Sequence, residues 1–343
     1  MKTLLLYLQD IGGTNFILSL FPNMRNELTS GIRIRCLVHP LSINITSEVL
    51  LDTEILDYVE FPICVSEWQK IIRDNDIKYV ISTLSSNKYD HSNANLIRAT
   101  NKSDIPTLGF LDHWKGFDRL FDNNNESKYC PDWLGVIDEY CVSYLHNKKV
   151  TSIIKSVGHP VLESIMNKKS IKSNNHRILF VSQPEIEKNT FDSLFLTQYK
   201  QSNILSALED IVRKSSSNFK MYYRPHPKEN LNNLVNSSLI LDNSSKSELF
   251  EKYDIFIGFN SMLLIEAQIF GAKSIFIRFP EVIENYHDEI PYRYTLNVNN
   301  LSEFEKVLNG SISFNELPLK PFKNSSERCL IFIQSFLKLK KYA

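Results

Sequence analysis

Apolar residues in this chain come in short runs of four to six, separated by polar turns and by stretches with helical spacing. Runs at 3–8, 33–38, 79–83 and 107–111 mark the first half, and runs at 177–181, 220–223, 255–258 and 274–277 mark the second. Runs this short and this apolar suit strands buried on both faces of a parallel sheet. Between them, segments such as 203–214 and 262–270 repeat apolar positions every three or four residues, as a helix covering a sheet does. Strand alternating with helix, twice over, predicts an α/β protein of two doubly wound, Rossmann-like domains facing a cleft. The first domain is predicted over 1–165 and the second over 176–322. The polar stretch 166–176, rich in Lys, Ser and Asn, reads as their linker. In the last segment, 323–343, residues 325–340 form an amphipathic pattern predicted to pack back on the first domain.

Composition narrows the function classes. With 343 residues, 43% hydrophobic and 23% charged, the chain is long and apolar enough for two folded domains. Lys plus Arg equals Asp plus Glu at 39 each, which gives no overall pull toward nucleic acid. The five cysteines are scattered without a CxxC pair, a pattern expected of reduced thiols in a cytoplasmic protein. The apolar start is followed at once by Gln9, Asp10 and a glycine pair, so it reads as a buried strand and not as a secretion signal. The basic tip at Lys338, Lys340 and Lys341 is either a solvated end or a peripheral contact with the inner face of a membrane.

In open α/β sheets ligands sit beyond the carboxyl ends of the strands, so residues just after each run are the candidates for chemistry. After the first run come Asp10, Gly12 and Gly13. Two glycines there let a ligand approach the backbone at a helix start, or serve a tight turn. After the fourth run come Asp112, His113 and Trp114. Either of the first two suits a general base, and Trp114 suits a wall for a sugar or base; the same stretch also suits a helix cap with a buried Trp. In the second half, Arg224-Pro225-His226-Pro227 follows a strand, and its prolines stiffen a turn that presents a guanidinium and an imidazole to phosphate. His39-Pro40 and His159-Pro160 lack those flanks. Further on, Asn260 or Ser261 caps a helix whose amino end favours phosphate, and Glu266 either accepts from a ribose or complements the helix dipole. No metal-ligand cluster stands out.

The pair RPHP and G-F-N-S-x-x-x-x-E-A-x-x-x-G resembles the carboxyl-terminal domain of bacterial GT-B enzymes over roughly residues 175–285. That group includes sialyltransferase-like families with an HP motif and a serine motif, teichoic acid glycerophosphotransferases, and non-hydrolysing UDP-N-acetylglucosamine 2-epimerases. The resemblance implies that His226 and Ser261 hold the phosphate of a nucleotide sugar. It also implies a catalytic acid in the amino-terminal half. Asp112 is the nearest match, although His113 and Trp114 follow it instead of an acid and a glycine, and Asp10 competes. The expected reaction is inverting, metal-independent glycosyl transfer needing no cofactor beyond the nucleotide-sugar donor. A CMP-linked nonulosonic acid comes first, then a UDP-sugar or CMP-Kdo. The acceptor would be a surface glycan, of a capsule or lipopolysaccharide, or its lipid-linked precursor. The alternatives are a CDP-glycerol glycerophosphotransferase using His113, a UDP-N-acetylhexosamine 2-epimerase, and a non-catalytic nucleotide-sugar-binding partner.

Overall fold

The computed structural model describes residues 1–28, 31–46, 50, 54–56, 60–61, 63–85, 90–114, 116–122, 124, 126–168, 175–183, 201–215, 218–226, 229, 240–259, 261–279, 296–314 and 319–338. Two compact units divide the chain: Met1–Ser164 with Lys320–Ala343, and Ile165–Leu319. Asn260, Lys115, Lys340, Lys341 and most of the predicted linker lie outside the described residues. Among the described residues no helix is long and apolar enough to cross a membrane.

The first unit runs β1 (Lys2–Leu8), α1 (Ile11–Glu27), β2 (Ile32–Val38), α2 (Ile43–Thr46), β3 (Glu54–Ile55), α3 (Val65–Asp74) and β4 (Ile77–Thr83). It continues through α4 (Ser92–Lys102), β5 (Thr107–Phe110), β6 (Trp133–Val136), α5 (Glu139–Asn147), β7 (Ile153–Ser156) and α6 (Pro160–Met166). Its seven strands lie in the order β3-β2-β1-β4-β5-β6-β7, all parallel. Alternation along β1 feeds two cores, because successive side chains leave opposite faces of a strand. Leu4, Leu6 and Leu8 join Phe16, Leu20 and Met24 of α1. Leu5 and Tyr7 join Trp68 and Ile71 of α3 and Leu96 of α4.

The second unit holds β8 (Arg177–Val181), α7 (Gln201–Lys214), β9 (Lys220–Arg224), β10 (Ile240–Leu241), α8 (Lys246–Lys252) and β11 (Ile255–Gly258). Then follow α9 (Met262–Phe270), β12 (Lys273–Ile277), β13 (Leu296–Val298) and α10 (Leu301–Leu308). Its strands lie in the order β10-β9-β8-β11-β12-β13, again all parallel. Ile178, Phe180, Ile257 and Ile275 pack against α7 and α10 on one face. On the other, Phe256 meets Phe250 of α8 with ring centroids 5.9 Å apart.

The chain order reverses between β1 and β4 in one sheet and between β8 and β11 in the other. Such switch points open the crevice that doubly wound sheets use for ligands. The last helix, α11 (Ser325–Leu337), belongs to the first unit. There Cys329, Phe332, Ile333 and Phe336 enter the same core as β1 and α1. At the base of this helix the backbone of Gly158 has φ +84°. Ser325 Oγ and Arg328 Nη2 occupy the space a Cβ would need. Gly158→Ala therefore adds left-handed backbone strain to a collision, at a cost of about 1–3 kcal/mol. Thermal unfolding of that variant is expected to show a midpoint several degrees lower. An unchanged midpoint contradicts the close fit.

Candidate functional site

Two carboxylates and one guanidinium meet at the carboxyl edge of the first sheet. Asp10 follows β1 and caps α1, its Oδ1 accepting the Gly13 N–H at 2.9 Å. Asp112 stands two residues beyond β5, which lies one strand over from β1 across β4. A short 3-10 turn, Gly116–Leu120, brings the chain back and delivers Arg119. Its Nη1 donates to Asp112 Oδ1 at 2.9 Å and to the Leu84 carbonyl at 2.6 Å, and lies 3.9 Å from Asp10 Oδ2. Thr83, the last residue of β4, accepts the Gln9 N–H at 2.9 Å and so ties the two central strand ends together.

The glycine pair has a steric reason. Neither glycine has a positive φ, which removes the tight-turn reading. A Cβ on Gly12 would strike Asp112 Oδ2, and one on Gly13 would stand 2.8 Å from Thr83 Cβ. The bare backbone lets the Asp112 carboxylate rest on the first turn of α1, where the helix amino end favours negative charge. Burial pushes the Asp10 carboxyl above its ordinary value; Arg119 pulls it back and the neighbouring Asp112 pushes it up again. Burial works against the Arg119 charge, yet Asp112 and Asp10 outweigh it and hold that guanidinium above its ordinary value. Asp10 thus retains a proton more readily than a free aspartate does, and Asp112 is fixed by an ion pair. The Asp10 side chain is 29% exposed and that of Asp112 11%, so Asp10 is the more open to a ligand. His113 follows on the same loop, partly exposed.

Trp114 does not form the expected ligand wall. Its ring is completely buried, and Nε1–H donates to Asp138 Oδ2 at 3.0 Å. An indole with no exposed face offers nothing to a sugar, so the alternative of a buried Trp holds. An Asp-x-Asp stretch, Asp74-Asn75-Asp76, sits before β4 at the opposite edge of the sheet, where each acid pairs with a lysine, Lys70 and Lys78, at 2.6 Å.

In the second unit the candidates also follow strand ends, and most are bonded within the protein. Arg224 closes β9, and its Nη1 donates to Asp242 Oδ2 at 2.8 Å and to the Ser244 carbonyl at 2.9 Å. The expected phosphate ligand is thus a clamp between β9 and the segment after β10. Asp242, buried, also accepts from Lys252, Tyr253 and Ser244 at 2.7–2.9 Å. Although burial opposes its charge, these donors and Arg224 hold its carboxyl far below the usual carboxylate range. His226 is partly exposed beyond β9, and its backbone N–H donates to Glu229 Oε2 at 3.0 Å. Glu229 gathers Ser182, Tyr223 and Gln201 as well, at 2.5–3.3 Å. Ser261 caps α9, its Oγ accepting the Leu263 N–H at 3.3 Å. Glu266, buried in α9, receives Lys246 Nζ at 2.9 and 2.8 Å. Burial raises its carboxyl above the ordinary value, with Lys246 working against that shift. Any ribose meeting Glu266 shares it with that ammonium.

Sequence reading missed Arg119, Asp138, Glu229, Asp242 and Lys246, and set His159 aside as a His-Pro pair without flanks. Arg119 left a signal as well, as a basic residue on the loop that carries Asp112.

No family model matches the sequence, and no curated protein matches it. In three dimensions the chain is similar over its whole length to several solved structures. The S. aureus MnaA-UDP co-structure matches with TM-score 0.65 and 13% identity, covering 99% of this chain and 98% of that one. UDP-GlcNAc 2-epimerase from Neisseria meningitidis bound to UDP-GlcNAc matches with TM-score 0.63 and 13% identity, covering 98% and 99%. The chain adopts the GT-B fold. The lipopolysaccharide outer core galactosyltransferase WaaB, in its apo form, matches with TM-score 0.57 and 11% identity, covering 98% and 99%. Likeness at such identities speaks for the fold.

The raised Asp10 carboxyl has a consequence for stability. The folded chain holds that proton more tightly than the unfolded chain does. The favourable contribution is therefore complete below the ordinary aspartate value of about 3.9 and falls as pH rises toward the folded value. Asn caps a helix as well as Asp does. Asp10→Asn is accordingly expected to melt higher than the parent at pH 8, with the difference closing toward pH 4, in parallel thermal scans. A parent that is the more stable at pH 8 contradicts the assignment.

Proposed function

We propose that this protein is an enzyme acting on a nucleotide-activated sugar, with Asp10 and Asp112 handling the proton and the second unit holding the nucleotide. The observation that carries this reading is the Asp10–Arg119–Asp112 cluster, two carboxyls at one sheet edge that share a guanidinium, one of them shifted upward by burial. Paired carboxyls held in unlike environments are the usual equipment of acid–base chemistry. His226 and Ser261, each just beyond a strand of the second sheet, serve the phosphates in this reading.

Among possible reactions, 2-epimerisation of a UDP-linked N-acetylhexosamine is the best supported. Inverting C2 means that its proton leaves one face as the C1–oxygen bond to UDP breaks, the C–H electron pair forming a C1–C2 double bond, and that a proton returns to the other face as UDP adds back. Asp10 and Asp112 are the two proton-handling groups in this reading. The structures named as UDP-GlcNAc 2-epimerases align with TM-scores of 0.63–0.66, against 0.57 for the glycosyltransferase WaaB. Two of these relatives are complexes with a uridine nucleotide, UDP in one and UDP-GlcNAc in the other, which favours a UDP-sugar over the CMP-linked nonulosonic acid expected from the sequence. Glycosyl transfer is the second reading, favoured by WaaB among the relatives. It would use Asp112 as the single base, with a glycan or lipid-linked glycan acceptor.

The test pairs binding with turnover. UDP at a hundred times its Kd should stabilise the protein by about 2.7 kcal/mol, visible as a rise in melting temperature, and more than CMP or CDP at equal concentration. Asp112→Asn should keep that rise and lose turnover of UDP-GlcNAc by about 100-fold or more. Full turnover by this variant removes Asp112 from the chemistry. Stabilisation by CMP alone returns the reading to a CMP-linked donor.

A further inference from the structure

Asp112 is held from two sides, and only one of them involves its carboxylate. Arg119 and Gly12 meet the side chain. The main-chain carbonyl of the same residue receives His159 Nε2 at 3.1 Å. His159 is 5% exposed and forty-seven positions away in the sequence. Its ring is fixed further: Nδ1 accepts the Leu162 N–H at 3.4 Å, which leaves the ring hydrogen on Nε2 to donate to Asp112. One edge of the ring packs on Phe16, centroids 5.2 Å apart.

The backbone of His159 is anchored in turn by the end of the chain. Its N–H donates to Ser325 Oγ at 3.0 Å, and that hydroxyl donates to the Phe322 carbonyl at 2.6 Å. One turn into α6, the Glu163 carboxylate accepts both the N–H and the hydroxyl of Ser326, at 2.8 and 2.6 Å. Phe322 stands 6.3 Å from the Trp114 ring, on the loop that begins at Asp112. Gly158 has no room for a Cβ because Ser325 fills that space. A continuous set of bonds therefore runs from residues 322–326 through His159 to the Asp112 peptide.

We propose that His159 is a positioning residue for Asp112, and that the carboxyl-terminal segment sets the Asp112 loop through it. The inference rests on Asp112 being the proton-handling group proposed above. A buried histidine that only filled the core would meet apolar neighbours or bond a carbonyl remote from the site. This one donates to the peptide of the site residue and is itself clamped by a segment 166 positions away. A small displacement of a reacting group is costly in rate while leaving nucleotide affinity alone, because that affinity is supplied elsewhere.

Three variants and two readouts test this. His159→Leu keeps bulk and removes the donor; His159→Gln restores an N–H near the place of Nε2; Ser325→Ala removes the clamp. Amide hydrogen exchange is followed over residues 111–117, and turnover of UDP-GlcNAc is measured beside UDP affinity. The expected result for His159→Leu is exchange in that segment about tenfold faster, and turnover about tenfold lower, at unchanged UDP affinity. Ser325→Ala should move both in the same direction, and His159→Gln should recover most of each. If His159→Leu does not fold, Ser325→Ala decides alone. Unchanged exchange in Ser325→Ala, alone or beside unchanged exchange in a folded His159→Leu, overturns the proposal. So does a fall in turnover that merely follows a fall in UDP affinity. A parent without activity on any nucleotide sugar defeats the proposed function, whereas the exchange measurements still decide the positioning.

Discussion

Two carboxylates at one partly buried sheet edge repel each other and resist losing water, so they persist together only with a cation or a shared proton between them. Arg119 supplies the cation. Its bond to Asp112 and its 3.9 Å approach to Asp10 let both acids stand at the switch point of the first sheet. Much of the local structure serves that arrangement. Gly12 is bare so that Asp112 can lie on α1, Leu84 offers its carbonyl to the guanidinium, and the 3-10 turn exists to return the chain to that spot. Arg119 holds the two acids unequally, bonding Asp112 directly and only approaching Asp10, whose carboxyl burial shifts upward.

The second unit handles charge differently. Three of its acids are paired within the protein: Asp242 with Arg224, Lys252, Tyr253 and Ser244; Glu229 with Ser182, Tyr223, Gln201 and a backbone N–H; Glu266 with Lys246. A buried carboxylate with several donors stiffens the loops it gathers. Glu229 in this way holds the backbone of His226, one of the groups proposed to meet phosphate.

The architecture was largely legible because strands buried on both faces leave unbroken apolar runs. The runs at 3–8 and 255–258 coincide closely with β1 and β11. β7 was missed because its residues are only half-buried and its four positions include Lys155 and Ser156, so no run forms. Asp10 and Asp112 could be found because an acid just past a strand is conspicuous in one dimension. Their common partner could not, since Arg119 reaches them only through a folded turn. Trp114 misled for the opposite reason: residue type suggests a ligand surface, while Asp138, twenty-four positions away, takes its polar group inside the protein. His159 looked like a stray dipeptide because its partners, Asp112 and Ser325, are remote in sequence.

The most direct measurement of the central claim is proton NMR of UDP-GlcNAc incubated with the protein in heavy water. An acid–base pair working on the sugar at C2 predicts loss of the C2 proton signal to deuterium, with the 2-epimer appearing alongside. Prolonged incubation that leaves the C2 proton in place and the nucleotide sugar intact contradicts the assignment of Asp10 and Asp112 to that chemistry.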